Sequence, residues 1–86
     1  MPNVISGTVR DPGGNPVAQA RVYFTGGPVP LPDIAALTNG NGAFSLSAPS
    51  TGTYHLGCAA EGFAPGAATV TVTAGQDVRL EIWLKP

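Results

Sequence analysis

The chain has 86 residues, 43% of them hydrophobic and only 10% charged, against about 25% in typical soluble proteins. That length fits one domain with a single core, burying roughly 60–65% of the surface its unfolded form exposes. A net charge of −1, from four Lys/Arg and five Asp/Glu, offers no electrostatic footprint for nucleic acid or an anionic membrane, and no apolar run approaches the 18 residues of a membrane span.

Cys58 is the single cysteine, so no intrachain disulfide forms. Met1-Pro2-Asn3-Val4 carries neither the charged region nor the apolar stretch of a leader, and strand signals begin within three residues of Met1. The expectation is one domain over residues 1–86, excised from a larger chain, monomeric in isolation and without membrane insertion.

The periodicity is 2, not 3.6. Ile5, Gly7 and Val9 alternate with Ser6, Thr8 and Arg10, giving a first strand with one apolar face. Asp11-Pro12-Gly13-Gly14-Asn15-Pro16 is turn chemistry, because Pro presets φ, Gly supplies positive φ and Asx bonds nearby backbone. Val22 and Phe24 then face inward, with Arg21, Tyr23 and Thr25 outward.

Pro28, Pro30 and Pro32 withdraw three amide donors, so residues 26–33 read as a loop or a sheet-edge excursion. Residues 34–37 form a short third strand. Asn39-Gly40-Asn41-Gly42 reads as a type I′ hairpin, with Phe44 and Leu46 inward on the strand that follows. After the break at Pro49-Ser50-Thr51-Gly52, Tyr54, Leu56 and Cys58 share an inner face, and Glu61-Gly62-Phe63-Ala64-Pro65-Gly66 turns again. Val70 and Val72 alternate with Thr69, Thr71 and Thr73; Ala74-Gly75-Gln76 leads to Val78, Leu80, Ile82 and Leu84. Seven strands at about ten-residue spacing predict an all-β, seven-stranded antiparallel β-sandwich.

In order, Gly7-Thr8-Val9, Gly13-Gly14-Asn15-Pro16-Val17, Ala20-Arg21-Val22, Thr38-Asn39-Gly40-Asn41-Gly42-Ala43-Phe44, Gly52-Thr53-Tyr54, Gly62-Phe63 and the closing Leu80-Glu81-Ile82-Trp83-Leu84-Lys85-Pro86 resemble the carboxypeptidase regulatory-like domains over essentially the whole chain. The Pro-rich insert at 28–32 departs from the family pattern. The resemblance implies a transthyretin-like, Greek-key topology. It also implies a non-catalytic module attached to secreted, cell-surface or periplasmic proteins, among them metallocarboxypeptidases, glycosidases, adhesins and outer-membrane receptors. Spacing, folding support and, in related sandwiches, carbohydrate binding are the implied roles. No catalytic residue carries over. The same fold also hosts a hydroxyisourate hydrolase, whose His/Arg cluster and C-terminal Tyr-Arg-Gly-Ser have no counterpart here.

The residues themselves assemble no enzyme. His55 is the only histidine, and a catalytic dyad needs a base held beside a nucleophile. It alternates out of phase with Cys58, so the two cannot share a metal, and it reads as a solvated strand residue. Cys58 falls in phase with Tyr54 and Leu56 and reads as a small buried hydrophobe. The 39–42 segment lacks the carboxylates of a calcium loop. An intramolecular Lys–Asn crosslink is unsupported, since Lys85 is the only lysine and no Asn lies near the last strand. The expectation is therefore no catalytic residue, no metal and no cofactor.

Function is left to the outward faces. Trp83 points out with Arg79 and Glu81, as do Tyr23 and His55 on their own strands. An outward Trp can stack on a sugar or anchor a partner, or simply cover a sheet edge or pack under the Pro-rich loop. The expected function is an accessory module whose partners are the flanking domains of a parent protein. The alternative is a carbohydrate-binding module using Trp83, Tyr23 and His55; a peptide added to an edge strand is a third possibility.

Overall fold

A computed structural model of the chain describes residues 3–30 and 35–86. Among the described residues seven strands run in sequence: β1 (Asn3–Arg10), β2 (Arg21–Gly26), β3 (Ala35–Leu37), β4 (Ala43–Ala48), β5 (Gly52–Ala59), β6 (Gly66–Val72) and β7 (Val78–Trp83). They form two sheets, ordered β4-β1-β7 and β3-β2-β5-β6. The chain crosses between sheets four times, after β1, β3, β4 and β6. The all-β sandwich is as expected. Ile34 and the later part of the Pro-rich connection lie outside the described residues.

The expected inner positions form the core. Ile5, Val9, Phe44, Leu46 and Ile82 of the first sheet meet Val22, Tyr54, Leu56, Cys58, Val70 and Val72 of the second, all buried. The Phe24 and Tyr54 rings pack 5.3 Å apart at 46°, within the range of favourable tilted aromatic pairs. Val17, Ala20 and Leu84 are also buried, although they lie outside the strands.

The pairing is not antiparallel throughout. β1 pairs β4 antiparallel but β7 parallel, with Ile5 opposite Val78 and Arg10 opposite Trp83. The reason is parity. Every connection reverses the chain, so odd-numbered strands all run one way and even-numbered strands the other. β1 and β7 are both odd, and once they are neighbours they must be parallel. The contact is tight: a Cβ on Gly7 would collide with the Leu80 carbonyl oxygen.

The segment at 39–42 is not a type I′ hairpin either. Positive φ occurs at Gly42 (74°) but at neither Gly40 nor Asn41, the two central residues where a type I′ turn requires it. β3 and β4 also lie in different sheets, so the segment is a corner between layers. It repeats the turn after β1 almost bond for bond. Asn39 Oδ1 accepts the amides of Asn41 (2.9 Å) and Ala43 (3.1 Å), as Asp11 Oδ1 accepts those of Gly13 and Asn15 (both 2.9 Å). In each turn a positive-φ glycine donates to the carbonyl three residues back, Gly42 to Asn39 at 2.9 Å and Gly14 to Asp11 at 3.0 Å. Asx side chains have overridden the Asn-Gly hairpin preference by bonding their own backbone. Gly42 is required twice over, since a Cβ there would also lie 2.7 Å from the Val9 carbonyl oxygen.

Two buried hydroxyls tie loops to the core. Thr38 Oγ1 accepts the Ala20 amide (2.9 Å) and donates to the Val17 carbonyl (2.7 Å). Tyr54 Oη donates to the Ser50 carbonyl (2.7 Å) and accepts its amide (3.1 Å), pinning the β4–β5 corner in the manner of a tyrosine corner.

Candidate functional site

The outward positions divide between the two sheets. On the β4-β1-β7 face, period-2 alternation turns out Ser45 and Ser47, Ser6, Thr8 and Arg10, and Arg79, Glu81 and Trp83. Trp83 is 53% exposed and sits opposite Arg10 in register. Its ring tip, Cη2, lies against Gly14 of the turn that follows β1. Arg10 is held from two sides: Nε faces Glu81 Oε2 at 3.5 Å, and Nη1 donates to the Gly14 carbonyl at 3.0 Å. This makes an apolar plate beside a fixed cation and anion, next to an open groove of about 400 Å³ lined by Thr8, Arg10, Arg79, Leu80 and Glu81. Exposed ion pairs of this kind contribute little stability, about 0–1 kcal/mol. Their effect here is to orient donors and an acceptor beside the ring.

Tyr23 and His55 lie on the other sheet. Tyr23 is opposite Gly57, and its ring fills the hollow that glycine leaves; a Cβ on Gly57 would be 2.6 Å from Tyr23 Cε2. His55 is exposed on the same face, with Nδ1 3.3 Å from Thr69 Oγ1, above a Thr53–Thr71 hydroxyl contact of 3.3 Å. Leu37, 63% exposed, sits opposite Arg21 at the far side of this face. Tyr23 and His55 are thus brought together, while Trp83 stands on the opposite outer surface. The three aromatics do not make one patch.

Cys58 points inward from β5, away from His55, and is fully buried. Burial pushes its thiol pKa above the ordinary value of 9.0, which keeps it neutral and unreactive. A further open groove of about 660 Å³ lies at the pole where β1 begins, between Asn3, Val4, residues 48–51 and the 74–77 turn. Its polar groups are engaged in closing that pole. Asn3 Nδ2 donates to the Thr73 and Gln76 carbonyls, and Asp77 Oδ1 accepts the Val4 amide at 2.9 Å. Asn3 and Asp77 therefore serve to hold the backbone of this pole together.

Sequence reasoning placed Trp83, Tyr23 and His55 outward from alternation alone. It placed Glu81 outward with Trp83 but missed Arg10 as their companion, because that grouping depends on β7 lying beside β1. It also missed Thr38 and Tyr54 as hydrogen-bonding staples. For Tyr54 a signal was present in Ser50, four residues upstream of an inward tyrosine at a strand start.

Comparison with known proteins bears on this geometry. Residues 4–85 match the carboxypeptidase regulatory-like domain family. No curated protein matches the chain in sequence. Among solved structures, a chain of a type II cohesin–X–dockerin complex from Acetivibrio cellulolyticus superimposes with a TM-score of 0.71 at 22% identity, covering 95% of this chain and 58% of that one. Chlorocatechol 1,2-dioxygenase from Pseudomonas putida gives 0.71 at 13% identity, over 100% and 61%. A DUF3823 family protein from Parabacteroides merdae gives 0.71 at 16% identity, over 99% and 46%. At these identities the likeness is one of fold. The chain spans about half to three-fifths of the length of these solved chains.

Proposed function

The chain belongs to the carboxypeptidase regulatory-like domain family, and from that premise we propose that it is a non-catalytic accessory module of a larger secreted or cell-surface protein, spacing its neighbours in line. The observation that carries this reading is the parallel pairing of β1 with β7. Two neighbouring parallel strands at the two ends of the described chain put the first residues at one pole of the sandwich and the last at the other. The long axis measures 34 Å against 20 and 17 Å across. Neighbours joined at opposite poles are held apart by the length of that strand pair, about 3.3 Å per residue, whereas an antiparallel terminal pair would bring them side by side. Similar folds that occupy only part of longer solved chains support the modular reading. So does a surface rich in Ser and Thr and poor in charge.

Placing the chain between two fluorescent reporters tests this. In-line spacing lowers energy transfer relative to a direct fusion, by the separation the β1–β7 pair imposes. Transfer as efficient as in the direct fusion would overturn the reading.

A second reading, carbohydrate binding, is favoured by one arrangement: the exposed Trp83 ring beside the Arg10–Glu81 pair. Sugars stack on aromatic faces while flanking polar groups bond their hydroxyls. Trp83 is the only tryptophan, so its fluorescence reports directly on such contact. A panel of soluble polysaccharides shifts its emission if this reading holds, and Trp83→Ala abolishes binding measured calorimetrically. An unmoved spectrum across the panel removes it.

A further inference from the structure

We propose that the module bears load, with β1 and β7 acting as a shear clamp between its two attachment points. The proposal rests on the in-line reading above and goes beyond it, from separation to resistance. If neighbours pull on the two ends of the chain, force enters at the start of β1 and leaves at the end of β7. Those strands are hydrogen-bonded neighbours, so the force passes directly from one to the other rather than through the remaining five strands. Because they are parallel, the pull runs along the ladder. All six register pairs, from Ile5–Val78 to Arg10–Trp83, are then loaded together and must slide together. A ladder pulled apart from one end yields its bonds one at a time, so the same bonds resist far less in that geometry.

Three features fit a clamp. Both ends of the ladder are tied beyond the register pairs: Val4 N donates to Asp77 Oδ1 at 2.9 Å at one pole, and Leu84 N to the Arg10 carbonyl at 2.8 Å at the other. The middle is closely apposed, Gly7 being the residue that lets β1 approach the Leu80 carbonyl. The inward side chains Ile5, Val9 and Ile82 are buried, so sliding the strands also drags apolar groups out of their packing. Arg10 and Glu81 add a lateral contact across the pair. The chain then continues past Trp83 to pair Lys85 with Ala64, tying its exit to the connection between β5 and β6.

Single-molecule force spectroscopy on the folded chain tests the clamp by changing only the direction of pull. One arrangement holds the two termini. The other holds the N-terminus and an Ala74→Cys handle, an exposed position in the turn leading into β7, so that β1 is peeled from the shared pole. Cys58 is buried and does not compete for attachment. Forced unfolding reads the unfolding rate. The clamp predicts several-fold greater unfolding force through the termini than in the peeling geometry at the same loading rate. Equal forces in the two geometries overturn it. The resting separation of the termini, read from the same records, reports on spacing independently: a full-length separation with low force removes the clamp and leaves the spacer, and a short separation removes both.

Discussion

Thr38 offers a sharp test of how this small fold is held. The residue is 4% exposed and its hydroxyl serves two backbone groups, accepting from the Ala20 amide at 2.9 Å and donating to the Val17 carbonyl at 2.7 Å. Ala20 and Val17 are themselves buried. In Thr38→Val the shape is kept and both partners are stranded without water. Each buried unsatisfied group costs about 1–3 kcal/mol, and the added methyl recovers about 0.8 kcal/mol. The net loss is about 1–5 kcal/mol, from a total that for 86 residues is about 4–13 kcal/mol. That corresponds to a fall in Tm of roughly 4–40 °C. Thr38→Ser keeps the hydroxyl and removes one methyl, costing about 1 kcal/mol. Urea unfolding followed by far-ultraviolet circular dichroism should order the three as wild type, Ser, Val, with a common denaturant slope. A valine variant no less stable than wild type would refute the argument, because the two hydroxyl bonds would then be worth no more than the about 0.8 kcal/mol the methyl recovers.

Tyr54→Phe removes the corresponding bonds to Ser50 but should cost only about 1 kcal/mol in the same assay, since Ser50 is half-exposed and its freed groups reach water. Gly7→Ala should destabilise by about 3 kcal/mol or more, as the new Cβ meets backbone that cannot move aside, whereas Gly57→Ala displaces only the half-exposed Tyr23 ring and should cost about 1 kcal/mol or less. Cys58 should resist a soluble thiol reagent until the chain unfolds; rapid stoichiometric labelling of native protein would contradict its burial. Because burial raises its pKa, the unfolded chain releases the thiol proton first. Stability should therefore be untouched by this group below about pH 9.0 and fall as pH rises beyond it. Cys58→Ala should flatten that part of the alkaline profile.

Much of this protein is legible in local pattern. Alternation assigned Ile5, Val9, Val22, Tyr54, Leu56, Cys58, Val70, Val72 and Ile82 to the interior and Trp83, Tyr23 and His55 to the outside, because a pleated strand leaves each side chain only two directions. Turn chemistry marked most of the strand ends for the same local reason. What no local pattern contains is which strand lies beside which. Seven reversing strands make β1 and β7 run the same way in any arrangement, yet that parity has consequences only once packing of the two apolar faces sets them side by side. That one adjacency created the parallel pair, brought Arg10 to Glu81 and Trp83, and sent the chain in at one pole and out at the other. It also put Trp83 on the opposite surface from Tyr23 and His55. Local pattern decided which residues face water; long-range pairing decided which of them meet, and where a pull on the chain would be felt.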